Sequence, residues 1–318
     1  MADVTDAAFR RIIAKYGKPD VMWTEFVSVD GLCSPGREVL LHDLTYTEAE
    51  RPIVAQIFGS KPDNFYKVAE LIKELGFDGI DINMGCPDRN VEKQGGGAAM
   101  IKSPELAQEV IRAAQEGGGG LPVSVKTRVG FNKVELETWI PKLLETKLSA
   151  ITVHARTRKE MSKVPAQWGY VKEAVAMAKG SGTLVVGNGD VKDLDDARRK
   201  AKETGADGAM LGRAIFGNPF LFSHSQECEN KQDKGVLKKY LEVMLEHTRL
   251  FHELLGDVKN FAVMKKHYKA YVNGFDGLPA APGRVAQVGA KELRMKLMET
   301  ETPEDVERVV EDFLIPHR

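Results

Sequence analysis

A chain of 318 residues with 42% hydrophobic and 29% charged side chains, 30 glycines and 14 prolines has the make-up of one large or two modest globular domains, which excludes disordered and fibrous classes. Its 45 Lys and Arg against 46 Asp and Glu leave a net charge of -1, so the total announces no nucleic-acid partner. No apolar run approaches the ~18 residues of a membrane span, the first residues lack a secretion signal, and three cysteines without a C-x-x-C pair exclude a disulfide framework or a cysteine zinc site, so a cytoplasmic protein holding no metal is expected.

The chain opens with a helix, Thr5 or Asp6 capping Ala7–Ala14. Seven short apolar runs follow as strands: Val21–Thr24, Ile53–Phe58, Gly79–Asn83, Val123–Lys126, Ala150–His154, Leu184–Gly187 and Gly208–Leu211. Between them lie stretches of helical period, Asn64–Leu75, Glu105–Gln115 (after the Ser103-Pro104 start signal), Leu136–Thr146, Gln167–Ala178 and Leu194–Glu203, while Gly117–Gly120 reads as a flexible loop. Continuous rather than alternating apolar strands indicate a parallel sheet buried on both faces, and the count points to a (β/α)8 TIM barrel. A helix precedes the first strand found, so strand one is expected to be missing and roughly 10–20 further residues to be encoded upstream. After Phe222 the rhythm stops, and about Val236 to Phe313 reads as helices interrupted by the turn-rich Asn273–Gly283. The α/β barrel is therefore expected over 1–225 and a C-terminal all-helical domain over 236–318. In the latter, Val258–Lys296 carries eight cations (Lys259, Lys265, Lys266, Lys269, Arg284, Lys291, Arg294, Lys296) against Asp276 and Glu292, either a phosphate-binding face or an ordinary solvated helix surface.

A barrel works from the C-terminal ends of its strands. Those positions hold Glu25, Gln56, Asn83 with Cys86, Lys126 with Arg128, His154 with Arg156, Asn188-Gly189-Asp190 and Gly212-Arg213. The last two groups place glycines where backbone N–H groups can approach an anion, which suits a phosphate, although plain turn glycines look the same. No G-x-G-x-x-G follows a strand, so a Rossmann-bound dinucleotide is not supported. Cys86 can serve as a general acid, since a thiol of pKa near 8.5 is mostly protonated at neutral pH, or as a thiolate if it contacts His154. Cys33 and Cys228 read as inert buried thiols. Lys126, the only lysine at a strand end, fits a salt bridge, a Schiff base or a cation for an anionic ligand.

These residues resemble the tRNA dihydrouridine synthases. Met1–Arg10 (MADVTDAAFR) is similar to the family's M-A-G-V-T-D-x-x-F-R, Thr24–Ser28 to its T-E-M-V-S, and Asp81–Pro87 to its D-I-N-M-G-C-P. Val125–Gly130, Thr152–Arg158, Gly187–Asp190 and Gly205–Arg213 follow in the family's order, while the helical tail with His267-Tyr268 matches more loosely. The resemblance implies bound FMN reduced by NADPH, with hydride passing to C6 of a uracil in tRNA and Cys86 protonating C5. It implies Asn83, Arg128 and Arg156 for the substrate, and Gln56, Lys126, His154, Asn188, Gly189, Asp190, Gly212 and Arg213 for the cofactor. Lys259, Lys265, Lys266, Lys269 and Arg294 would then bind tRNA, in a protein expected to be monomeric. Met161–Trp168 departs from the family pattern, leaving the target uridine open, and Asp3 replaces a glycine. Another FMN barrel acting on a small molecule, or a non-catalytic RNA-binding homologue, would share parts of this pattern.

Overall fold

A computed structural model describes residues 1–223, 233–275 and 290–314. In chain order the elements are α1 (Ala7–Tyr16), β1 (Met22–Ser28), α2 (Val29–Leu32), α3 (Arg37–Leu41), β2 (Ile53–Phe58), α4 (Pro62–Glu74), β3 (Gly79–Met84), α5 (Arg89–Lys93), α6 (Pro104–Gly118) and β4 (Val123–Arg128). Then come α7 (Leu136–Leu144), β5 (Ala150–His154), α8 (Gly169–Ala178), β6 (Leu184–Asn188), α9 (Leu194–Thr204), β7 (Gly208–Met210), α10 (Lys234–Leu255), α11 (Val263–Tyr271), α12 (Ala290–Glu299) and α13 (Pro303–Leu314).

All seven strands run parallel in the order β1 to β7, curled as a half-barrel. The expected barrel class stands. Each expected strand and helix is present, with ends shifted by a few residues. β3 is buried along its whole length, and Ile57, Ile80, Ile82, Val125, Ile151 and Val153 are at most 1% exposed. Such positions contribute about 1.5–3 kcal/mol each. Among the described residues no helix is long and apolar enough to cross a membrane.

The Gly117–Gly120 expectation is corrected. Gly117 and Gly118 complete α6, the left-handed Gly119 ends it, and Gly120 follows with a positive φ. A Cβ on Gly117 would stand 2.1 Å from the carbonyl oxygen of Tyr66 in α4, so this glycine lets two helix backbones approach closely.

Two compact units emerge. One comprises Met1–Ala2, Asp20–Thr45 and Arg51–Arg213; the other comprises Asp3–Pro19, Tyr46–Glu50 and Ala214–Arg318. This partition differs from 1–225 and 236–318, because α1 groups with the later helices. Asp6 caps α1 by accepting from Phe9 N at 2.9 Å, and Phe9 stacks on His247 of α10 with ring centroids 5.1 Å apart. Arg10, 1% exposed, donates from Nε to Glu50 Oε2 at 2.8 Å. Cys228, Asp276 and Arg284 lie outside the described residues.

Candidate active site at the strand ends

Parallel register brings the polar strand-end residues into rows. Gln56, Asp81 and Ser124 are neighbours across β2, β3 and β4. Asp81 is fully buried and accepts from Gln56 Nε2 at 2.6 Å and from Ser124 Oγ at 2.6 Å. Burial pushes its carboxyl up, against the two hydrogen bonds and the charge of Lys126. This aspartate was missed as a site residue. Its signal was a charged side chain in the middle of an otherwise apolar strand.

Asn83 and Lys126 form the next row. Asn83 donates from Nδ2 to Gln56 Oε1 at 3.1 Å, while its Oδ1 accepts from Gly85 N and from Cys86 N at 2.9 Å. The amide therefore fixes the turn that carries Cys86. Gly97, with φ +58, backs that turn: a Cβ there would lie 2.7 Å from the Cys86 carbonyl oxygen. The Cys86 thiol is half-buried, and burial raises its pKa despite Arg128 and Lys126 nearby. No hydrogen bond joins it to His154 among the described residues. The thiol form dominates at neutral pH, as a general acid requires.

Lys126 has no hydrogen-bond or ion-pair partner among the described residues. Burial first, then Arg128, lower its pKa to about 8. Arg128, His154 and Asn188 make the third row. His154 is pushed down to about 2 by burial and by Lys126, Arg128 and Arg156, so its ring is neutral.

The arginines are committed to protein contacts. Arg128 donates from Nε to Gly85 O at 2.8 Å and from Nη1 to Thr157 O and Met161 O at 3.0 and 2.9 Å. Arg156 donates from Nε to Val164 O at 2.6 Å and from Nη2 to Asp190 Oδ2. They are 6% and 3% exposed and anchor the loop between β5 and α8. A bidentate Arg158–Glu92 pair ties that loop to the Cys86 segment.

Glycines 187 and 189 have protein explanations. A Cβ on Gly187 would strike Trp168 at 2.2 Å, and one on Gly189, φ +119, would meet Ala166 Cβ at 2.8 Å and His154 Cδ2 at 3.1 Å. Gly212 differs: the nearest atom to its absent Cβ is Met1 Sδ at 3.9 Å. Asn188 Nδ2 donates to Met210 O at 2.8 Å, binding β6 to the end of β7. Asp190 accepts from Arg156, Ala166 N and Arg213, whose side chain is 69% exposed. Cys33 is exposed, which corrects its reading as a buried thiol; it caps the one-turn α2, where nothing covers it.

Residues 1–314 match the family model described as Dihydrouridine synthase (Dus). The chain belongs to the dihydrouridine synthase family. The family resemblance and the enzyme class expected from the sequence stand with it: the protein is an oxidoreductase of that family. It is 38% identical to "Probable tRNA-dihydrouridine synthase 2" of Bacillus subtilis (strain 168), over 98% of this chain and 92% of the relative. It is 37% identical to "Probable tRNA-dihydrouridine synthase" of Staphylococcus aureus (strain MRSA252), over 98% and 91%. Among solved structures, histamine dehydrogenase from Rhizobium sp. 4-9 aligns with TM-score 0.50 and 15% identity over 77% of this chain and 46% of that one, a likeness of fold alone.

Proposed function

We propose that the protein reduces uridines of tRNA to 5,6-dihydrouridine, using FMN as bound cofactor, NADPH as reductant and Cys86 as the acid. The observation that carries this reading is the half-buried Cys86 thiol, held by Asn83 at the same strand ends that present the unpartnered Lys126 ammonium.

The residues fit a flavin. Lys126 and the free nitrogen of His154 are donors without acceptors among the described residues, suited to the carbonyl edge of an isoalloxazine ring, where negative charge gathers on reduction. Gly212 leaves its backbone approachable, and the exposed guanidinium of Arg213 supplies a cation for the phosphate. Gln56 stands in the first row and Asn188 in the third, where Gly189 and Asp190 shape that end of the site. When bound, the flavin supplies hydride, taken from NADPH, to C6 of the uracil. Cys86 Sγ–H gives its proton to C5, and the thiolate is reprotonated from solvent. Asn83 keeps the thiol's turn in place, and its amide is the group within reach to orient a base extruded from the RNA stack. Arg128 and Arg156 serve the substrate by fixing the loop that borders it.

In the helical unit Lys265, Lys269 and Arg294 have no ion-pair partner among the described residues, whereas Lys266 faces Asp3 at 3.6 Å. With Lys259 they supply the tRNA contact, in a cytoplasmic monomer. The test is direct: full-length protein, FMN, NADPH and an unmodified tRNA transcript should yield dihydrouridine by mass spectrometry. Flavin reduction without dihydrouridine on any tRNA would overturn the reading in favour of a small-molecule reductase.

A further inference from the structure

We infer that Arg156 is a positioning residue: its guanidinium holds His154 in the neutral tautomer that carries its proton on Nδ1, and Asp190 aims the guanidinium. Arg156 Nη1 lies 3.2 Å from His154 Nε2. A guanidinium has five N–H donors and no acceptor, so the imidazole nitrogen must accept. The proton of the neutral ring is thereby confined to Nδ1, which has no partner among the described residues and is left as a donor at the strand ends. The ring is neutral because burial and the cations Lys126, Arg128 and Arg156 outweigh the single anion facing it, Asp190.

Arg156 is itself over-determined. Its Nη2 is bound by Asp190, whose carboxylate also accepts from Ala166 N at 2.8 Å and from Arg213 at 2.8 Å; its Nε is held by Val164 O. Gly189 completes the seat, since a Cβ there would press on the Cδ2 and Nε2 edge of the ring at 3.1 and 3.4 Å. The backbone at β6 thus leaves room for one ring edge, and the guanidinium decides which nitrogen on it is bare. For the ligand, this rests on the proposed function: the site offers a donor at Nδ1 whose protonation does not change with pH in the working range. A lysine could replace the charge but not the fork that reaches His154, Val164 and Asp190 together.

The experiment is 15N spectroscopy of histidine-labelled full-length protein, with and without added FMN, His154 being assigned by difference with His154→Gln. The wild type should show a bare Nε2 and a protonated Nδ1, unchanged from about pH 5 to 8. Arg156→Gln should lower that tautomer preference by about tenfold or more, the scale of a lost charge-assisted hydrogen bond. Should Arg156→Gln fail to fold, Asp190→Asn, which keeps the shape and loosens the guanidinium, should give a smaller shift in the same direction. A wild-type His154 protonated on Nε2, or folded variants with the wild-type tautomer, would overturn the inference. FMN affinity is read separately by flavin fluorescence. The expected tautomer without FMN binding defeats the flavin reading and spares this one; FMN binding with the opposite tautomer does the reverse.

Discussion

At the scale of single residues, the proposed chemistry turns on groups whose surroundings set their protons. Burial keeps the Cys86 thiol protonated, and Asn83 fixes where it sits. Cys86→Ala should leave FMN binding and NADPH oxidation near wild type and lower dihydrouridine formation at least ~100-fold in single turnover. Equal loss in both half-reactions would make the thiol structural. A second set of buried groups acts on stability. In the helical unit His247 and His267 are fully buried, their rings 4.8 Å apart, and burial holds His267 down to about 3 and His247 well below its ordinary value. Below pH 6.5 the unfolded chain binds protons that these rings refuse, so stability falls as pH falls. His267→Phe, which keeps an aromatic ring beside Phe9 and Phe216, should remove about 1.4 kcal/mol per pH unit of that dependence between about pH 6 and 3. Denaturant titrations across that range measure it, and an unchanged slope would show that His267 charges in the fold.

At the scale of elements, glycine placement separates chain-path requirements from turns. Gly117→Ala should destabilise by about 1–3 kcal/mol, because its Cβ meets the Tyr66 backbone, which cannot yield like a side chain. Gly118→Ala is the control: it meets the Ile80 Cδ1 tip at 3.1 Å, which can turn aside, and α6 gains helix propensity. Equal thermal shifts for the two would show that α4 and α6 part easily. The same pair marks what was legible in the sequence. Val- and Ile-rich runs such as Ile53–Phe58 announced their strands because a buried parallel strand tolerates little else. Gly117 did not announce its role, since a close approach between helices is invisible to local pattern. Likewise the strand-end rule found Lys126, His154, Arg128 and Arg156, yet that the two arginines also hold carbonyl oxygens at residues 85, 157, 161 and 164 is a tertiary fact. The Asp81 partners, 25 and 43 residues away, were hidden for the same reason.

At the scale of the whole molecule, the proposed binding of tRNA by a chain with net charge -1 rests on the distribution of charge rather than on its total. In that proposal Lys265 and Lys269 on α11 belong to the RNA-binding face. Lys265→Glu with Lys269→Glu should weaken tRNA binding and flatten its dependence on salt, because fewer counterions are released. Filter binding at two or more salt concentrations reads both quantities, and unchanged affinity throughout would return these lysines to an ordinary solvated surface. The anchoring of the loop between β5 and α8 has a different reach. Arg128 and Arg156 grip it at the carbonyl oxygens of Met161 and Val164, and every amino acid carries such an oxygen. Residues 161–165 are exposed and free to change side chains while the loop keeps its path, with Gly or Asn most at ease at the left-handed position 161, φ +57. If this loop borders the substrate as proposed, mutation can explore new substrate preferences there without first surrendering the scaffold, so recognition can diverge faster than architecture.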